Sequence, residues 1–217
     1  MLQDSEGSII WLEGIIGAGK TTLARKIAET FDVKLLEEPV EANPYLARFY
    51  GDPDRWTYPM QIHLLHARYR MQQAAAGLAG IGQSTILDRG LPGDRVFAKM
   101  HVHAGVIDPI EWDTYQMAYD SMTQHLPTPS LLVFLMVDPE VAMERVRERA
   151  RGCETGIDID YLKRLRDGYF DLMDEIESGQ HRWARGIRVV RWPWNSAHLP
   201  VGPLFCEIQK HCQLRSR

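Results

Sequence analysis

The chain has 217 residues, 45% of them hydrophobic and 25% charged, with a formal net charge of −4. That length suits one α/β domain with a well-buried core, and the acidic balance excludes a global basic field for gripping a nucleic-acid backbone. Three cysteines, Cys153, Cys206 and Cys212, with no Cys-x-x-Cys among them, argue for a reducing compartment and against a disulfide framework or a zinc site.

Residues 8–13 read as a short apolar strand, and Gly14-Ile15-Ile16-Gly17-Ala18-Gly19-Lys20-Thr21-Thr22 follows at once. The spacing G-x-x-x-x-G-K-T is a phosphate cradle. Its glycines let the backbone turn N–H groups onto an anion, and a helix begun near Gly19 adds the positive end of its dipole. Lys20 would reach the β- and γ-phosphates of a nucleoside triphosphate, and Thr21 would hold Mg²⁺. The alternative, a glycine-rich turn that binds nothing, is disfavoured by the Lys-Thr pair.

A helix is predicted over 21–30, with Leu23, Ile27 and Phe31 at helical spacing, and a second strand over 33–36 that ends in Glu37-Glu38-Pro39-Val40. A short helix over 44–50 has Asn43 as its expected cap. A long amphipathic helix runs from Asp52 to about Gly77. The strand over 84–87 closes in Asp88-Arg89-Gly90, and helices over about 93–103 and 108–124 follow. After the turn at Pro127-Thr128-Pro129 comes the strand 131–137, too short to span a bilayer. Asp138-Pro139-Glu140 opens a helix to about Arg149. A glycine-punctuated, arginine-bearing stretch over 149–156, a helix over 158–178, a last strand over 187–191 and a closing helix over 201–213 complete the chain. The N-terminus shows no secretory signal pattern, so the expected setting is the cytoplasm, with no membrane and no nucleic-acid partner.

Strands alternating with helices, the strands nearly continuous in apolar residues, predict a single α/β domain over 1–217. It would be a P-loop kinase fold with a five-stranded parallel sheet, helices on both faces and an arginine-bearing lid. Ligands of such sheets sit at the carboxyl ends of the strands. There the second strand brings Glu38, the third Asp88 and Arg89, and the fourth Asp138. Asp138 has the simpler account as a helix cap before proline. Asp88 does not, because Arg89-Gly90-Leu91-Pro92 makes no clean helix start, and Asp88 is the expected metal-side carboxylate. Phosphoryl transfer to a hydroxyl needs a proton acceptor and cations for the developing charge. Glu38 fits the first need; Lys20, Arg89 and Mg²⁺ fit the second. Arg149 and Arg151, followed by Gly152 and Gly156, suit a closing lid, the alternative being a solvated helix end. Trp192 and Trp194, after the last strand, are expected to border the adenine of ATP.

The order of these features resembles the deoxyribonucleoside kinase family over almost the whole chain. The matching features are the phosphate loop at 14–21, Glu38-Pro39-Val40, Gln61 on the long helix, Asp88-Arg89 and the arginine stretch over 149–154. Residues 38–50 are similar to the bacterial deoxyadenosine/deoxyguanosine kinases in particular. The resemblance implies that Glu38 takes the 5′-hydroxyl proton and that Arg89 steadies it and the transferring phosphoryl. Asp88 and Thr21 would hold Mg²⁺, with Asp88 standing where many relatives have glutamate. Tyr50 and Glu154 would hold the sugar 3′-hydroxyl, Gln61 would meet the base edge, and Arg149 and Arg151 would be the lid cations. Gly90 stands where many relatives carry serine.

Arg68 matches an arginine of the family that faces an aspartate, here Asp94. Gln61 and Arg68 are seven apart and share a helix face. An arginine–aspartate pair offers donors and an acceptor to a purine or cytosine edge; a surface ion pair between two helices is the alternative. The resemblance therefore implies an ATP-dependent, Mg²⁺-using kinase for purine deoxynucleosides, with deoxycytidine admitted, working as a homodimer through helices near 96–100. A rival is a nucleoside monophosphate kinase of the thymidylate type. There an arginine usually precedes the Glu-Pro pair, whereas Glu37 stands here and would repel phosphate. A nucleotide-dependent switch protein is a rival of another class, without support from any Asn-Lys-x-Asp motif.

Overall fold

A computed structural model of the chain describes residues 6–37, 43–149, 157–196 and 200–217. Its strands are β1 (Ile9–Glu13), β2 (Lys34–Leu36), β3 (Thr85–Asp88), β4 (Leu131–Met136) and β5 (Arg188–Pro193). All pair in parallel in the order β2-β3-β1-β4-β5. All five residues of β1 are buried, as expected for a strand covered on both faces. Because β1 lies between β3 and β4, the winding reverses there, and the crevice at its carboxyl end is the natural ligand position. The register sets Leu12 beside Asp88 and Glu13 beside Phe134, so the ends of three strands converge.

The helices are α1 (Lys20–Thr30), α2 (Leu46–Gly51), α3 (Pro53–Ala79), α4 (Leu91–His103), α5 (Pro109–Thr123), α6 (Pro139–Arg149), α7 (Ile159–Glu177) and α8 (Gly202–His211). One core cluster surrounds the sheet. A smaller one, with Leu65, Leu91, Ala98, Tyr115 and Tyr119 at its centre, joins α3, α4 and α5.

Two helix starts differ from the sequence expectation. Asn43 does not cap α2: its Oδ1 accepts the Tyr45 N–H at 2.9 Å, closing a turn ahead of a helix that begins at Leu46. α4 begins at Leu91 rather than near 93, because a proline in a first turn gives up an N–H that has no helical partner anyway. Asp94 lies in the first turn of α4. Asp52 and Asp158 accept backbone N–H groups of α3 and α7, and Asp108 forms a full capping box on α5. No helix among the described residues is long and apolar enough to cross a membrane.

Candidate active site

The phosphate loop has the geometry its glycines predict. Gly17 and Gly19 lie at φ of 80° and 85°, and a Cβ on Gly17 would stand 2.4 Å from the Ala142 carbonyl oxygen of α6. Lys20 Nζ donates to the Gly14 and Ile15 carbonyls, each at 3.0 Å, so the ammonium lies folded along the loop it is to serve. Arg145 of α6 donates to the Ala18 carbonyl at 3.2 Å and to the Trp194 carbonyl at 2.9 Å, fastening the loop to the end of β5. Sequence reasoning stopped at Arg149 and missed Arg145, one helical turn earlier on the same face. Trp194 is buried, its indole nitrogen 3.2 Å from the place a Cβ on Gly19 would take, and so it backs the loop.

On the metal side, the Thr21 hydroxyl donates to Asp88 Oδ2 at the top of β3. Two hard oxygen donors in contact fit Mg²⁺, which takes one or two protein ligands and completes its shell with phosphate oxygens and water. Among the described residues, no group of three or more His, Cys, Asp and Glu side chains forms a metal site by itself.

Next to Asp88, Arg89 has a backbone φ of 82° and is 4% exposed. Its guanidinium lies 4.6 Å from the centre of the Phe97 ring and donates to the Tyr169 hydroxyl. That hydroxyl donates in turn to Glu13 Oε2 at 3.0 Å, while Glu13 Oε1 accepts the Gly90 N–H at 2.8 Å. Glu13 is fully buried. Desolvation raises its pKa above the ordinary carboxylate range, opposed by the nearby Arg89 charge and the Gly90 hydrogen bond. Neither Glu13 nor Tyr169 was singled out from the sequence.

The third group lies where α3 faces α4. Arg68 and Asp94 form an ion pair, 4% and 0% exposed, which rules out the solvated surface pair. Tyr115 of α5 donates its hydroxyl to Asp94 Oδ2 at 2.5 Å, and burial holds that hydroxyl protonated. Gln61 is 1% exposed, and its Oε1 has no hydrogen-bond partner among the described residues. A buried acceptor left open costs free energy unless something else satisfies it. Tyr50 is half-buried on α2, and Arg149 is exposed at the end of α6. Glu38, Arg151 and Glu154 lie outside the described residues. Glu37 is exposed and gripped by Arg25 at 2.8 and 3.1 Å, so its charge is answered locally and gives little reason to exclude a phosphorylated acceptor.

The family model for deoxynucleoside kinases matches residues 10–187. The chain belongs to the deoxynucleoside kinase family. It is 34% identical over 190 residues to a deoxyadenosine kinase of Dictyostelium discoideum, covering 88% of this chain and 74% of that one. Against a deoxyguanosine kinase of the same organism it is 34% identical over 87% of this chain and 64% of the relative. A Bacillus subtilis deoxyadenosine/deoxycytidine kinase is 32% identical over 76% of each chain. Among solved structures, the deoxyadenosine kinase of M. mycoides with bound dATP superposes with a TM-score of 0.75. That match has 27% identity and covers 94% of this chain and 97% of that one. The expected P-loop kinase fold and the family resemblance both stand.

Proposed function

We propose that this deoxynucleoside kinase transfers the γ-phosphoryl of ATP to the 5′-hydroxyl of a purine deoxynucleoside, with deoxyadenosine and deoxyguanosine preferred and deoxycytidine admitted. The observation that carries the base preference is the buried Arg68–Asp94 pair together with the open acceptor of Gln61, two turns before Arg68 on α3. A base edge with both donors and acceptors satisfies such a pocket; thymine, lacking an exocyclic amine, leaves buried groups unpaired. The relatives named for deoxyadenosine and deoxyguanosine point the same way.

In this scheme the glycine loop and Lys20 hold the triphosphate, with Arg149 and Arg151 closing over it. Thr21 and Asp88 hold Mg²⁺, which supplies charge neutralisation on the phosphate oxygens. Glu38 accepts the 5′-hydroxyl proton, Arg89 orients it and meets the transferring phosphoryl, and Tyr50 and Glu154 hold the 3′-hydroxyl. The free thiols of Cys206 and Cys212 suit the reducing cytoplasm. The working unit is a homodimer through α4 and α7. A groove of about 520 Å³ lies between them, lined by Val96 and Met100 with the cations of Arg95, Lys99 and Arg164 and the carboxylates of Asp167, Asp171 and Glu175. Sedimentation as a monomer at micromolar concentration would remove that part.

The deciding assay offers ATP with each of the four deoxynucleosides, with dAMP or dTMP, and with no acceptor. Purine deoxynucleosides should be the best acceptors. Phosphorylation of dTMP alone would establish the thymidylate-type rival, and hydrolysis without any acceptor the switch.

A further inference from the structure

Glu13 is an ionisable side chain with no exposure at all, placed in the central strand one residue before the phosphate loop. Burying a carboxylate there is unfavourable unless specific partners answer it. The Lys20 charge favours it from the loop, and Gly90, Tyr169 and Arg89, which form one corner, make close contacts with it. Oε1 takes the Gly90 N–H at 2.8 Å, Oε2 takes the Tyr169 hydroxyl at 3.0 Å, and Arg89 Nη1 lies 3.9 Å from Oε2. The Tyr169 hydroxyl also receives the Arg89 guanidinium, so it relays between arginine and carboxylate. Tyr169 is itself fixed, its ring stacked on Phe134 at 5.8 Å and 20°.

The backbone at this corner is held as tightly. Arg89 occupies the left-handed region, unfavourable for a residue with a side chain. The Glu13 bond to the next N–H pins that conformation. Residue 93 is left no room for a side chain, since a Cβ on Gly93 would fall 2.3 Å from Glu13 Oε2.

We infer that Glu13 is a positioning residue of the phosphoryl-transfer site. Acting through Tyr169 and the Gly90 N–H, it fixes the backbone and guanidinium of Arg89 relative to the phosphate loop that begins at the next residue. The loop and the arginine arrive on neighbouring, paired strands, β1 and β3; the Arg89 N–H donates to the Leu12 carbonyl at 3.1 Å, and this carboxylate adds the side-chain link between them. Misplacement of a charge-stabilising group by about 1 Å lowers the rate of the chemical step while substrates still bind. The inference rests on the proposed role of Arg89.

The test compares Glu13→Gln, Tyr169→Phe, their double variant and Arg89→Lys with the wild-type chain, using ATP and deoxyadenosine. Glu13→Gln keeps shape and an acceptor for the Gly90 N–H but removes the charge; Tyr169→Phe removes only the relay. Each should lower kcat about 10- to 100-fold with both KM values within about threefold of wild type. The double variant should be no worse than the poorer single one, because the two act as one unit. Near-normal kcat in both singles, beside a large loss in Arg89→Lys, would overturn the inference and leave the kinase reading intact. So would KM effects alone, or losses that multiply in the double variant. If Glu13→Gln does not fold, Tyr169→Phe decides by the same criteria. A wild-type chain inert toward every deoxynucleoside, or an Arg89→Lys variant of undiminished turnover, overturns the parent reading and this inference with it.

Discussion

The indole of Trp11 fills the space that a side chain on Gly90 would need: a Cβ there would lie 2.7 Å from Trp11 Cδ2. Trp11 is fully buried, donates its Nε1 proton to Gln72 Oε1 at 2.8 Å and packs 5.1 Å from the Trp183 ring. The glycine that stands where many family members carry serine is thus the complement of a large residue on the central strand. Gly90→Ser should destabilise the fold by about 1–3 kcal/mol, the usual range for overpacking. Combined with Trp11→Leu it should cost less than the two single changes together. A double-mutant cycle in urea measures the coupling; strict additivity would mean that the two residues do not compete for space.

Exchange of the buried pair should retune base choice. Arg68→Met with Asp94→Ala replaces both charges by apolar groups, avoiding the penalty of leaving one stranded. The thymidine-to-deoxyadenosine ratio of kcat/KM should rise by about tenfold or more. Either single change should weaken turnover on all bases. An unchanged ratio in the double variant would remove the pair from base selection.

Glu38→Gln should lower kcat by about 10²–10⁴-fold, the range for losing a general base, with modest change in either KM. Near-normal turnover on every deoxynucleoside would show that another group takes the 5′-hydroxyl proton.

Two buried histidines set an acid limit on stability. Burial, with Arg164 as a neighbour, lowers the pKa of His101 to about 4, and burial with Arg95 does the same for His181. Unfolded histidine titrates near 6.5, so between about pH 6.5 and 4 the unfolded chain binds protons that the folded chain does not. Folding stability should therefore fall as pH drops through that window, by up to about 3 kcal/mol for each histidine, and neither should contribute above it. Urea midpoints at pH 7.5, 6 and 5 test the slope, which His101→Gln and His181→Asn should each flatten.

What the sequence made legible was local. Near-continuous apolar runs located all five strands, glycine spacing located the phosphate loop, and Asp88 was placed beside Thr21 by its position at a strand end. Glu13 escaped, although it borders the loop, because a carboxylate ending an apolar strand has the same local pattern whether it meets water or a buried tyrosine. Its meaning rests on Tyr169, 156 residues away. Tyr115 escaped for a similar reason, reaching Asp94 from a helix whose period shows only that it faces inward. The early start of α4 was hidden by Pro92, read as a barrier where it serves as a helix opener.

In the proposed scheme, the folded-back lysine of the phosphate loop would make nucleotide capture an exchange reaction. An ammonium has three protons, so a grasp on both a β- and a γ-oxygen would displace at least one of the Gly14 and Ile15 carbonyls from Lys20 Nζ. Donor affinity is therefore a difference between two sets of contacts to the same ammonium. A nucleoside monophosphate, with nothing to offer in the second set, would leave the lysine where it lies, so the resting loop already favours a long phosphate tail over a short one.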